Sequence, residues 1–382
     1  MKITLGDYIV EINERTTKNN QHRVLTSSQK GIVSQDEYFN KQIASKDNTG
    51  YKIVKKGQFT YRAMSDTGRF YINRLIEYDV GIVSPAYPVF EVIEKNIIYT
   101  PYIVLFFESD YFQAVISNQS TGSTRVSLKL DKIKRITLDV PSYQEQKEIV
   151  ERIESTKRTI SARTEQLFCF DNLVKSRFIE LFGDPASNPK DWKTKSLLDM
   201  GYCKNGMNFH TGDSGIEMHC LGVGDFKDLS VIDGTEHLPI ISLNEAPPVE
   251  SMLKDGDIVF VRSNGNKALV GRCLVVYPHN TPTTYSGFCI RYRLTSNEVN
   301  TTYLLRVLKT DSMRKKMVGR GANIQNLNQQ ILATLDIPLP PIEQQQQFAA
   351  FVEQTDKSKL AVQKALEELE ILKKSLMQQY FG

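Results

Sequence analysis

Residues that build metal and redox centres are scarce in this chain. The five cysteines (Cys169, Cys203, Cys220, Cys273, Cys289) include no Cys-x-x-Cys pair, and the five histidines (His22, His210, His219, His237, His279) form no ligand cluster with them. No metal site is expected, and an odd set of scattered cysteines reads as reduced, buried thiols of a cytoplasmic protein. His219 and Cys220 come nearest to a ligand pair, but adjacent residues of a strand point to opposite faces. There is no secretory leader pattern and no apolar run near the ~18 residues of a membrane span, so neither export nor a membrane is expected. The net charge is only +4, so any affinity for nucleic acid must come from local patches rather than from the whole molecule. No Gly-x-x-x-x-Gly-Lys-Ser/Thr loop occurs, which argues against ATP hydrolysis, and Gly222-Val223-Gly224 is too short for a nucleotide fingerprint.

What the chain does have is a repeat. With 382 residues, 40 % apolar and 24 % charged, it is large enough for two domains or more. Residues 141–183 return, without a gap, as residues 340–382: Pro141 as Pro340, Gln146 as Gln345, Glu154 as Glu353, Thr156 as Thr355, Leu167 as Leu366, Leu173 as Leu372, and Phe182-Gly183 as Phe381-Gly382. A repeat with a period of half the protein fixes the architecture before any local structure is read. Both copies open on proline beside an early glutamate, which suits a first helical turn and its dipole. No further proline or glycine follows until Gly183 and Gly382, so each copy predicts an unbroken helix of about 38 residues and roughly 57 Å.

Spaced alternately by four and three, Ile149, Ile153, Thr156, Ile160, Arg163, Leu167, Phe170, Val174, Arg177 and Leu181 form a coiled-coil seam in the first copy. The same slots in the second are Phe348, Val352, Thr355, Lys359, Val362, Leu366, Leu369, Lys373, Leu376 and Tyr380. Ile160 stands against Lys359, Arg163 against Val362, Val174 against Lys373 and Arg177 against Leu376, so a charge in one seam is apolar in the other. That predicts pairing of the two helices with each other, antiparallel, rather than self-pairing of either.

A globular block precedes each helix. Residues 1–140 carry short β-like runs at 51–54, 58–61, 81–84 and 89–93, an apolar helical stretch at 101–116, a polar run at 117–125 and a strand at 133–140. Residues 141–185 hold the central helix and a Gly-Asp-Pro linker. Residues 186–339 repeat the outline, with strands at 257–261, 271–277 and 288–293, a helix at 302–317 and a polar run from Gly319 to Asn328; residues 340–382 are the C-terminal helix.

Three stretches carry a family likeness: residues 336–345 (Asp-Ile-Pro-Leu-Pro-Pro-Ile-Glu-Gln-Gln) with their counterpart Leu138 to Gln146, the helix end Leu181-Phe182-Gly183-Asp184-Pro185, and Gly319-Arg320-Gly321-Ala322-Asn323-Ile324-Gln325-Asn326-Leu327. With the two-block, two-helix layout they make the whole chain resemble the specificity (S) subunit of type I DNA restriction-modification systems. The resemblance implies an α+β fold with a pseudo-twofold internal repeat: two mixed α/β target-recognition domains separated by two long antiparallel helices. It implies that each block reads one half of a split, asymmetric site in double-stranded DNA. The helices would set the gap and dock two methyltransferase subunits, and through these the restriction/translocase subunits. S-adenosylmethionine, ATP and Mg2+ are then expected in the partners and no cofactor in this chain. The family often has additional N-terminal sequence, which makes it an open point whether residues 1–7 pack against Phe381-Gly382.

No catalytic constellation is found. Ser84-Pro85-Ala86-Tyr87 lacks the second proline of an amino-methyltransferase loop, and Glu145-Gln146-Lys147 lies in a helix start that returns as Gln344-Gln345-Gln346 without the charges. Contacts to DNA fit better, since phosphates want Lys and Arg while base edges want Arg, Asn or Gln. In the first block the candidates are Arg62, Arg69, Asn73, Arg74, Asn118, Gln119, Ser120, Ser123, Thr124 and Arg125. In the second they are Arg262, Ser263, Asn264, Asn266, Lys267, Arg314, Lys315, Lys316, Arg320, Asn323, Gln325, Asn326 and Asn328. The competing readings are a coiled-coil scaffold without DNA function and the specificity part of a methyltransferase-only system.

Overall fold

Two 40-residue helices, Tyr143–Phe182 and Ile342–Phe381, run where the glycine- and proline-free stretches predict them. The first opens on a capping box: the Ser142 hydroxyl accepts from the Glu145 N–H at 3.3 Å, and the Glu145 carboxylate takes the Ser142 N–H at 2.8 Å. It ends at Gly183, whose φ of +76° and N–H to Ile179 O close the last turn; a side chain there would meet the Pro189 ring at 2.3 Å. The computed structural model describes residues 1–38, 47–94, 96–117, 126–210, 212–227, 229–318 and 326–382. These fall into two compact units, Met1–Glu165 with Gln363–Gly382, and Gln166–Val362, so that each long helix contributes one end to each unit.

In the first unit, strands Ile9–Glu11, Val89–Val92, Phe59–Thr60 and Asn73–Arg74 form an antiparallel sheet in that order, beside a Leu25–Ser28/Gly31–Ser34 hairpin and a Lys52–Lys55/Val80–Val83 pair. Phe59, Phe90, Phe107 and Phe112 stack edge and face in its core, to which Ile149, Val150 and Ile153 of the first helix and Phe381 of the second also belong. Phe381 lies 4.9 Å from the Tyr102 ring, and Arg152 donates to the Tyr380 hydroxyl, so the start of one helix meets the end of the other. Ile3 and Leu5 share that cluster with Phe381, while strand Lys2–Thr4 pairs with Thr137–Asp139.

In the second unit a five-stranded mixed sheet runs Gly201–Asn205, Cys289–Leu294, Asp257–Val261, Cys273–Tyr277, Val231–Asp233, with a three-stranded sheet of Ile240–Leu243, Ile216–Leu221 and Thr283–Tyr285. Every residue of Asp257–Val261 is buried, Ile258 to Val261 as a β-branched and aromatic run in a central strand should be. Here the end of the first helix meets the start of the second: Phe178 and Phe182 lie 5.6 Å from Phe348, and Lys359 Nζ bonds Asp171 at 2.7 Å. Strand Thr194–Ser196 pairs with Asp336–Pro338, as Lys2–Thr4 does in the first unit.

All ten predicted seam positions of the second helix are buried or half-buried, and so are Ile149, Ile153, Thr156, Ile160, Leu167, Phe170, Val174 and Leu181 of the first. Arg163 and Arg177 are exposed, and Phe178 and Phe182 are buried beside the expected slots. Other expectations need correction. Only Thr137–Asp139 of the 133–140 stretch is a strand, because Leu130–Lys134 forms a short helix. The helix expected at 302–317 divides at Thr310, and the one at 101–116 at Ser109. Each hydroxyl bonds the carbonyl three residues back and accepts from the N–H three ahead, ending one helix and starting the next. Cysteines 220, 273 and 289 are buried, with thiols pushed up by burial to about 12, 11 and 12, but Cys203 is half-buried and Cys169 is exposed. Among the described residues no helix is long and apolar enough to cross a membrane.

Candidate nucleic-acid interface

The second block draws most of its described candidates onto one loop system. The segment between strands Asp257–Val261 and Cys273–Tyr277 carries Arg262 to Leu269. Asn264 Oδ1 accepts from the Asn266 N–H and Asn266 Oδ1 from the Ala268 N–H, so both amides shape the loop, the second by capping the turn Lys267–Leu269. Arg314, in helix Asp311–Val318, donates to Ala268 O and ties the basic run Arg314-Lys315-Lys316 to that turn. Ser263 bridges to Asn326, and the Leu327 N–H donates to Arg262 O at 2.8 Å. Asn328 is engaged as the cap of Gln329–Ala333, its Oδ1 accepting from Ile331. Arg320, Asn323 and Gln325 lie outside the described residues.

In the first block Arg62 and Arg69 are exposed, paired with Asp66 at 3.9 Å and Asp110 at 3.3 Å. Pairs between exposed side chains are worth at most ~1 kcal/mol, so either arginine can exchange its partner for a phosphate. Both line a groove of about 600 Å³ with Thr26, Ser27, Ser28, Gln29, Ser65 and Thr67 on its polar side and Tyr71 and Tyr87 among its rings. Asn73 and Arg74 are turned to the block itself: Asn73 Nδ2 donates to Ser27 Oγ and Ser28 O, and Arg74 Nε to Gly57 O. Candidates 118–120 and 123–125 lie outside the described residues. The strand that follows them, Val126–Ser127, pairs with Met64–Ser65, and the Leu128 N–H donates to Ala63 O, matching the Ser263–Asn326 bridge and the Leu327–Arg262 bond of the second block.

Two features escape the sequence reading. The first is the groove, whose lining comes from five separated stretches between Thr26 and Tyr87. The second is Phe288, read as the first residue of a strand but exposed at the Ser286-Gly287 turn beside Arg262; a Ser-Gly pair is a turn signal that could have found it.

A family model described as the type I restriction modification DNA specificity domain matches residues 2–167 and again 189–371. The chain is 26 % identical over 303 residues to the type I restriction enzyme StySPI specificity subunit of Salmonella potsdam, covering 73 % of this chain and 64 % of that protein. It is 22 % identical over 316 residues to the EcoKI specificity subunit of Escherichia coli strain K12, covering 75 % and 66 %. The matched length is thus under two thirds of either relative. The fold resembles a chain solved in work on complex assembly and conformational transition of the type I R-M system (TM-score 0.63, 17 % identity, covering 100 % of this chain and 97 % of the other). It also resembles the type I restriction-modification S subunit from M. genitalium (TM-score 0.57, 12 % identity, 100 % and 96 % covered).

Proposed function

Because the chain belongs to the family of type I restriction modification DNA specificity domains, we propose that it selects the DNA sequence on which a type I restriction-modification assembly acts. In this reading the chain is not itself catalytic. Each globular block reads one half of a bipartite, asymmetric site, and the two long helices set the unread gap. Two methyltransferase subunits dock on the chain and methylate adenine with S-adenosylmethionine, and restriction subunits join them, using ATP and Mg2+, in the cytoplasm of a bacterial or archaeal cell.

The observation that carries this reading is the double match: one DNA specificity domain model fits two successive segments, each ending in a long helix. The loop system of Arg262, Lys267 and Arg314 to Lys316 supports phosphate contact in the second block, and the groove flanked by Arg62 and Arg69 supports it in the first. Exposed Phe168, Leu173 and Ile179 on the first helix, with Ile371 and Leu372 on the second, offer apolar surface to docking subunits.

The test is binding by the chain assembled with its methyltransferase subunits, on a duplex bearing the site taken from a methylome and on a random duplex. The expected result is preference for the site, weakening steeply as salt rises. Exchange of the second block should alter one half of the methylated sequence alone. Equal affinity for both duplexes, or a change in both halves, would overturn the reading.

A further inference from the structure

We propose that Phe288 is a wedge: its ring inserts at a base step of the half-site read by the second block. This rests on the reading of that block as a DNA reader. An exposed phenylalanine is common enough on protein surfaces to need no explanation by itself; the way this one is held does call for one. The residue is 61 % exposed, yet its backbone is clamped. The Phe288 carbonyl accepts two N–H groups, from Arg262 at 2.8 Å and Ser263 at 3.2 Å, and Arg262 Nη1 reaches Gly287 O at 3.4 Å. The Gly287 N–H donates to Met207 O at 2.7 Å and the Cys289 N–H to Ser286 O at 2.8 Å, closing a tight turn. A side chain at Gly287 would come within 2.1 Å of Asn208 Oδ1, so the turn is packed from its other side as well.

The ring is therefore presented to solvent on a stand that does not need to be ordered when something binds, which is how rigid aromatic anchors gain affinity. What surrounds it defines the occupant. Arg262 and Ser263 are bonded to it directly, the same loop carries Asn264 and Lys267, Arg314 is fastened to that loop, and Asn326 bridges Ser263. Cations that grip phosphates around an apolar side chain that enters between bases is the arrangement by which kinking proteins read the deformability of a base step. A protein partner would instead ask for a larger apolar area around the ring.

The experiment uses the full chain assembled with methyltransferase subunits, Phe288→Ala and Phe288→Trp variants, and duplexes with 2-aminopurine at each step of the half-site that follows exchange of the second block. Base stacking on an aromatic is strong enough that its loss should weaken specific binding about tenfold or more. The expected result is that loss in Phe288→Ala, near-normal binding in Phe288→Trp, and an unchanged dependence on salt, since the phosphate contacts remain. One 2-aminopurine position should brighten with the wild type and Phe288→Trp but stay dark with Phe288→Ala. The inference is overturned by Phe288→Ala binding the site as the wild type does, by an equal loss on random DNA, or by failure of the variant to assemble with methyltransferase subunits. A wild-type complex with no preference for the site would instead sink the DNA-reading assignment on which the inference rests.

Discussion

Gln146 and Gln345, 199 positions apart, hold the same three backbone groups of their respective units. Gln146 Oε1 accepts from the Tyr99 N–H at 2.8 Å, and its Nε2 donates to Ile97 O and Pro141 O. Gln345 Oε1 accepts from the Asn300 N–H at 2.9 Å, and its Nε2 donates to Glu298 O and Pro340 O. Both side chains are fully buried, and each joins the first turns of a long helix to the segment that leads into the paired short helices of its block.

Removing either amide leaves buried donors and acceptors without partners, at ~1–3 kcal/mol for each group abandoned. Gln146→Leu and Gln345→Leu should each lower stability by at least about 2 kcal/mol in urea denaturation. A loss below about 0.5 kcal/mol would show that water or a shifted backbone takes over these bonds.

Phe178 is buried against Phe182, Phe348 and Tyr303, whereas its neighbour Arg177 is exposed and pairs with Glu180. Phe178→Ala should cost about 3–5 kcal/mol as a large-to-small core change, and Arg177→Ala at most ~0.5 kcal/mol as a surface change. Equal effects in parallel unfolding curves would return the contact line to Arg177.

Asp257, 1 % exposed, stands between two arginines. Arg293 grips it with Nε and Nη2 at 2.8 and 2.7 Å, and the fully buried Arg291 approaches at 3.9 Å while its guanidinium lies over the Tyr202 ring. Asp257→Asn strands two cations beside an uncharged amide, and breaking a buried pair in this way costs ~3–5 kcal/mol. Replacing all three by apolar residues should cost less than that single change, a comparison that thermal melts can make.

His279 Nε2 donates to the Asp233 carboxylate at 2.7 Å, with Asp255 and Glu236 close by, and these carboxylates hold its pKa above the ordinary imidazole value. A raised folded pKa means that the protonated ring favours the folded state. The contribution is therefore complete below the unfolded value of about 6.5 and fades as pH climbs through the higher folded one. The stability gap between the wild type and Asp233→Asn should narrow from pH 6 upward; a gap that widened would reverse the assignment.

The long helices were legible in sequence because helix breakers act locally and the breakers here are confined to the ends. The seam was legible except at Arg163 and Arg177, which are exposed, and toward the end of the first helix burial deepens one residue on, at Phe178 and Phe182. A straight helix has 3.6 residues per turn, so it drifts about 20° per heptad against a 3.5 repeat, and the buried stripe has rotated by its last turns. The candidate interface was harder to read. Asn73, Asn264, Asn266 and Asn328 have the composition of base readers, yet each makes a hydrogen bond within its own block, a distinction that depends on what lies opposite in space. The groove lined by Ser27, Thr67 and Tyr87 joins stretches up to sixty residues apart, which no window on the sequence spans.

Each block begins with a strand that is hydrogen-bonded to the strand just before its own helix, Lys2–Thr4 with Thr137–Asp139 and Thr194–Ser196 with Asp336–Pro338. A stretch whose two borders are neighbours behaves as a removable cassette, since its replacement need only present the same pair of borders. An exchange that keeps those borders would therefore replace the contents of one block and leave the strand pair and the helix that follows it in place.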